Sequence, residues 1–276
     1  MSAIKSILLH VDSSLGSPKR FAVANEVAEA FGADVTALYA TTPSIVRYPY
    51  ALEAAQAAGP LMQQYDEERR DKVKATFAKT TASMPRMHWA ELREDPPWGF
   101  VRRAFYADLV ILGQFDPSEK DPHDVPPDFV PSVVIDSGRP ALVLPNIGAA
   151  PPLGRSVLIG WKETREAARA VTAALPWLQL ASHVHVALWH SETGESMSNS
   201  IDIEKFLRGH GMTPKVHHYP NGVSDIAAYL LSLAADVSAG LIVMGCYGHS
   251  RMREWVLGGT TRTIMDSMTV PVLMTH

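Results

Sequence analysis

The sequence predicts an α/β fold built twice, as two tandem doubly wound domains over residues 1–148 and 149–276. Three observations carry this. Short apolar runs rich in Cβ-branched residues alternate with stretches of helical spacing, the pattern of a parallel sheet covered by helices on both faces. SILLHVD, from Ser6, returns as SVLIGWK from Ser156 at an offset of 150, and LVILGQF, from Leu109, returns as LIVMGCY from Leu241 at an offset of 132. Between the copies, Pro145 to Ser156 (PNIGAAPPLGRS) interrupts all periodicity and reads as a linker.

In the first copy, Ser6 to Val11 is a buried strand that delivers Asp12 to a serine-rich turn. Ser17-Pro18 supplies an N-cap and a first helical position, Phe21, Ala24, Ala28 and Phe31 recur at helical spacing, and Gly32 stops the run. Ala33 to Ala40 is the second strand. The Ala-, Pro- and Tyr-rich segment from Thr41 to Gly59 has no readable role, and a charged helix follows from about Met62 to Met84. Arg86 to Leu92 is a third strand, Trp98 to Tyr106 a third helix, and Leu109 to Leu112 a fourth strand ending at Gly113. Phe115 to Pro131 then carries five prolines and five acidic residues. Its prolines lack backbone donors, so it is a poor phosphate cradle. Ser132 to Ser137 is a residual helical turn, and Ala141 to Leu144 a fifth strand.

The second copy repeats the order. Ser156 to Ile159 is a strand, Ala168, Val171, Leu175 and Leu178 mark a helical face, and His183 to Trp189 is the next strand. Ile201 to His210 is a helix, Lys215 to Tyr219 a strand, Asp225 to Ala235 a helix, and VPVLM the final strand.

Composition narrows the function. The 276 residues are 46% hydrophobic and 20% charged, with a net charge of -4, which gives no broad positive field for nucleic acid. One cysteine excludes an internal disulfide and a Cys-rich zinc site. No apolar run approaches the roughly 20 residues that span a bilayer, and the MSAIKSILLHVD terminus lacks the apolar core of a signal peptide. The expectation is a cytoplasmic protein without membrane partners.

The chemistry concentrates in Leu241 to Ile264, LIVMGCYGHSRMREWVLGGTTRTI. A buried strand breaks at Gly245, a glycine-punctuated loop follows, and Gly258-Gly259 lead into Thr260-Thr261 and a helix. Free N–H groups and the positive end of a helix make that order an anion site, here a phosphate cradle. The alternative is a structural turn that lets the helix pack on its strand. Neither G-x-S-x-G nor the P-loop G-x-x-x-x-G-K-[ST] occurs, so no catalytic residue is assigned. Cys246 reads as a packed residue rather than a nucleophile. Strand alternation puts His183 and His185 on one face, with His190 near the same strand, while His217 and His218 on another strand point to opposite faces so that at most one could join them; no zinc spacing is present and no metal site is expected.

GCYGHSRMREWVLGG, with its Gly-x2-Gly-x9-Gly spacing, threonine helix start and final VPVL strand, resembles the universal stress protein family in tandem, UspA-like form. The resemblance covers nearly the whole chain. It implies five parallel strands per half in the order 3-2-1-4-5, with the last strands of the halves paired as an intramolecular pseudo-dimer; it leaves homodimer formation open. It further implies an adenine nucleotide, ATP or another, with or without Mg, bound in the C-terminal half by Gly245, Tyr247, Gly248, Gly258, Gly259, Thr260 and Thr261. His249, Arg251 and Arg253 are placed in the same loop, where an inward turn would neutralise phosphate charge. Two positions depart from the family. Gly259 stands where a small hydroxyl residue is usual. Asp12 matches the aspartate that accepts hydrogen bonds from the nucleoside, but its counterpart in the second half is Lys162, which has only donors. The implied role is a nucleotide-responsive stress regulator with at most slow ATP hydrolysis. The alternative is an interaction module of the same fold acting through protein partners.

Overall fold

The computed structural model describes residues 4–47, 55–92, 98–119, 124–148, 154–189, 202–219, 225–247 and 259–276. The chain divides into two compact units between Arg139 and Pro140. In the first, β1 (Ser6–Val11), α1 (Ser17–Phe31) and β2 (Asp34–Tyr39) are followed by α2 (Ser44–Arg47), α3 (Ala55–Thr80) and β3 (Met87–Glu91). Then come α4 (Trp98–Ala104), β4 (Leu109–Gly113) and α5 (Phe129–Asp136). The strands are parallel in the order β3-β2-β1-β4. β1 meets β2 with Ser6 opposite Asp34 and meets β4 with Ile7 opposite Leu109. Leu109 to Leu112 of β4 are all buried, as in a strand covered on both faces, whereas the edge strand β3 mixes buried and exposed positions.

The second unit holds β5 (Ala141–Leu144), β6 (Ser156–Trp161), α6 (Arg165–Leu180), β7 (His183–Trp189), α7 (Ile203–Gly209) and β8 (Lys215–Tyr219). It continues through α8 (Ile226–Asp236), β9 (Leu241–Gly245), α9 (Gly259–Ser267) and β10 (Val272–Thr275). Its strands lie in the order β8-β7-β6-β9-β10-β5. The first five are parallel and reproduce the expected 3-2-1-4-5 order of one repeat. β5 lies antiparallel to β10, with Val143 opposite Val272 and Ala141 opposite Met274. The last strands of the two repeats therefore pair as expected, and this pairing is why compactness groups β5 with the second unit although the repeat counts it with the first.

Helix ends follow local chemistry. α1 carries Pro18 in its first turn and stops at Gly32, whose φ of +64° is open to glycine and whose N–H returns to the Ala28 carbonyl. Its N-cap is Gly16 rather than the expected Ser17, because the Ser17 hydroxyl donates to Asp12 instead. In the second unit Thr164, Asp202 and Asp225 accept from the N–H groups of Ala167, Lys205 and Ala228. Each such cap is worth about 1 kcal/mol. α3 starts at Ala55, ahead of the expected Met62, because the helix-forming alanines before Gly59-Pro60 outweigh that punctuation. α5 starts at Phe129 rather than Ser132, since Phe129, Val130, Val133 and Val134 bury one face.

Candidate functional site

In a doubly wound sheet the ligand crevice lies beyond the carboxyl ends of the strands, where the order reverses. In the second unit that point is between β6 and β9, which pair with Gly160 opposite Met244. β6 ends at Trp161 and presents Lys162, which is exposed. β9 ends at Gly245. A Cβ built there would lie 2.6 Å from the Glu166 carbonyl carbon and 2.9 Å from Ala167 Cα, so this glycine lets the first turn of α6 sit against the strand end. Cys246 is buried; its N–H and thiol both donate to the Thr275 carbonyl, at 3.0 and 3.2 Å. Burial, with the nearby Glu166 charge, pushes the thiol far above its ordinary value. Tyr247 has a φ of +57°, uncommon for a residue with a side chain, and its hydroxyl is buried without a hydrogen-bond partner. Burial raises that phenol as well.

The expected residues Gly248, His249, Gly258, Arg251 and Arg253 lie outside the described residues. Beyond them Gly259 opens α9, and a Cβ added there meets nothing within 4 Å among the described residues. Thr260 is half-buried and Thr261 buried in the first turn. Lys162, Gly245 and Tyr247 thus lie at the ends of the adjacent strands β6 and β9, and Gly259, Thr260 and Thr261 form the first turn of the helix that precedes β10.

Asp12 belongs to the other compact unit, at the end of β1. Its Oδ1 accepts from Ser14 N at 3.1 Å, Ser14 Oγ at 2.5 Å and Ser17 Oγ at 3.0 Å, and it forms a short ion pair with Arg20 Nη2. Burial pushes the carboxyl upward, but Arg20, then His10 and Ser14, pull it further down, and it lies well below the usual carboxylate range. His10 is buried beside it, edge-on to Phe100 and against Phe129, with Nε2 2.9 Å from the Ala40 carbonyl. Burial lowers the His10 value more than Asp12 raises it. The Arg20 guanidinium also fills the space beside Gly113, where a Cβ would fall 3.2 Å from Arg20 Cζ.

The acidic, proline-rich loop completes this network. Asp124 Oδ2 accepts from Ser13 N at 2.5 Å, its Oδ1 pairs with Arg69 Nη1 at 2.7 Å, and its carbonyl accepts from Thr42 N at 2.6 Å. Glu119 accepts from Leu15 N at 3.0 Å. Carboxylates of the loop thereby satisfy the free N–H groups of the turn after β1, donors that would otherwise face solvent or an anion. Sequence reasoning missed Arg20, Arg69 and Asp124. The one available signal was Arg20 on the Ser17, Phe21, Ala24, Ala28 face of α1, a charge where every neighbour is small or apolar.

The fold and the paired final strands define a class: two doubly wound repeats, each with its strand order reversing between its first and fourth strands. The chain has the tandem universal stress protein fold. It is similar to a universal stress protein of Archaeoglobus fulgidus DSM 4304 at a TM-score of 0.71 and 17% identity, over 97% of each chain. A protein of Pseudomonas aeruginosa UCBPP-PA14 described as a universal stress protein matches at 0.57 and 17%, covering 98% of this chain and 92% of its own. A functionally unknown protein of Pseudomonas aeruginosa PAO1 matches at 0.58 and 16%, with the same coverage. No family model matches the sequence, and no curated protein shows significant similarity to it. Among the described residues no helix is long and apolar enough to cross a membrane.

Proposed function

We propose that the chain is a cytoplasmic universal stress protein whose second half binds an adenine nucleotide and acts as a nucleotide-responsive regulator. The observation that supports this is the Gly245-x2-Gly248-x9-Gly258 spacing of the sequence, which begins on the last residue of β9, with Gly259, Thr260 and Thr261 opening the helix that follows. A glycine at the start of that helix permits close approach of a phosphate to its N–H groups, and Thr260 offers a hydroxyl where Gly259 has none. His249 and the loop arginines would add charge. The nucleoside end fits less well, because Lys162 can donate to an acceptor on the ligand but cannot accept from a ribose. Any Mg would ride on the phosphates of the nucleotide. Binding shifts the population between liganded and free surfaces, which is sufficient for signalling without turnover.

The first half serves as a packing partner in this reading, since its own groups already satisfy Asp12 and the turn after β1. Lys162 favours the second reading, an interaction module without nucleotide. Isothermal titration of nucleotide-stripped protein with ATP, ADP and AMP separates the two. Saturable heat that Gly248→Val and Gly258→Val both abolish supports nucleotide binding. No heat and no thermal shift with any of the three overturns it in favour of the interaction module.

A further inference from the structure

The turn after β1 in the first unit presents three consecutive backbone N–H groups, and each ends on a different carboxylate. Ser13 N donates to Asp124 Oδ2 at 2.5 Å, Ser14 N to Asp12 Oδ1 at 3.1 Å and Leu15 N to Glu119 Oε1 at 3.0 Å. Successive N–H groups that all take negative oxygens form an anion-binding nest, here just ahead of the positive end of the 15-residue α1. Two of its three occupants, Asp124 and Glu119, come from the acidic loop, 111 and 104 positions further along the chain.

Donors remain unused around Asp124. Its carboxylate oxygens are both taken, Oδ2 by Ser13 N and Oδ1 by Arg69 Nη1 at 2.7 Å, and its carbonyl accepts from Thr42 N. Beside it Arg69 Nε, the Tyr39 hydroxyl and Thr42 Oγ1 are buried without a hydrogen-bond partner. Tyr39 is only 7% exposed and the Arg69 side chain 10%. Burial raises the Tyr39 phenol while Thr41 and Arg69, close to its oxygen, pull the other way, so the hydroxyl faces the same guanidinium that holds Asp124. Asp66 is a further carboxylate on Arg69, 2.9 Å from Nη2.

A buried donor left unmade is costly, and the Asp124 side chain has no oxygen to spare for these. A phosphate group has more oxygens than a carboxylate, so in the place of the Asp124 side chain it serves Ser13 N, Arg69 and the unused donors together. We propose that the turn Ser13 to Leu15, with Arg69, Tyr39 and Thr42, is a site for a phosphate group, and that Asp124 and Glu119 are its internal, competing occupants. An external phosphate exchanges with the Asp124 carboxylate rather than adding to it. The first half is thereby self-inhibited, taking a phosphate-bearing ligand only against its own loop. The site uses none of the residues of the nucleotide loop proposed for the second half.

The test titrates inorganic phosphate, glycerol phosphate and acetate, at constant ionic strength, into 15N-labelled protein and follows the amide resonances of Ser13 and Leu15. In the unaltered protein phosphate should shift both amides weakly but saturably. Asp124→Asn/Glu119→Gln keeps the shape of both side chains and removes their charge, and should tighten phosphate by roughly tenfold or more, the value of one hydrogen bond to a charged group. Adding Arg69→Met should cancel that gain. Acetate, with two oxygens, should bind the double variant roughly tenfold more weakly than phosphate. Tighter binding of the ester and tighter binding of the free ion both support the site, and tell a phosphorylated molecule from the ion itself. The proposal is overturned by the absence of saturable Ser13 and Leu15 shifts in the unaltered protein, whatever the variants do. Phosphate affinity that ignores the two loop charges, or acetate that matches phosphate, overturns it as well.

Discussion

Replacing Arg20 by methionine keeps much of the side chain's bulk and removes the guanidinium that faces Asp12. The two side chains are only 6% and 11% exposed, so solvent does little to screen the charge left behind. Breaking a buried ion pair by deleting one partner costs about 3–5 kcal/mol. Ser14 and Ser17 still donate to Asp12 Oδ1, which places this case at the lower end, near 3 kcal/mol on that scale. At about 2–4 °C per kcal/mol for chains of this size, the midpoint should fall roughly 6–12 °C. The pH dependence identifies the cause. In the unaltered protein the folded carboxyl lies below its unfolded value, so its contribution is present above about pH 3.9 and is lost only as pH falls through the lower folded value. In the variant, burial acts without the guanidinium, the folded value rises, and protonation relieves the penalty. The deficit should be largest at pH 7 and shrink toward pH 4.5. Urea unfolding followed by circular dichroism at both pH values measures it, with Asp12→Asn/Arg20→Met expected to lose less than the two single changes summed. Equal deficits at both pH values, or strict additivity, would refute the charge argument and leave lost packing as the cause.

Gly245→Ala drives a methyl group into the backbone of α6, and overpacking of that kind costs about 1–3 kcal/mol; the loss should already appear in urea melts without nucleotide, and an effect seen only with nucleotide would contradict the packing role. Cys246 should react with a thiol reagent at pH 8 only as fast as the protein unfolds, because burial raises the thiol and the strand end covers it; prompt stoichiometric labelling of native protein would count against that geometry. Lys162→Asp restores an acceptor at the end of β6 and, at about 1.5 kcal/mol for a hydrogen bond to a charged group, should tighten adenosine nucleotides roughly tenfold. Unchanged or weaker affinity in calorimetry would show that the nucleoside does not face position 162.

Strands and repeat order were legible because a strand covered on both faces is a continuous apolar run, and LVIL and LIVM each stop at a glycine. The pairing of β5 with β10 came from the resemblance, and Val143 does sit opposite Val272. Interactions assembled from distant segments were not legible. Asp12, Arg20, Arg69 and Asp124 come from four separate stretches, and no local spacing announces that they meet. Gly245 illustrates a subtler limit, since close approach of a ligand and close approach of a helix leave the same residue in the sequence. Likewise His183 and His185 share a face by alternation alone, but which histidine of the next strand reaches His185 depends on register.

The antiparallel contact between Ala141–Leu144 and Val272–Thr275 also sets a schedule for folding. Val143 and Val272 are 129 positions apart, and all four residues of β5 are buried in the finished protein. At a synthesis rate of about 5–20 residues per second, the edge of β5 that receives β10 waits roughly 6–25 s for its partner to be made. During that interval a four-residue apolar edge stays open on the ribosome-bound chain, a template for other strands and a natural landing place for chaperones. Only when the second repeat has built β6 to β9 can its last strand close that edge, so the first repeat is finished by the second.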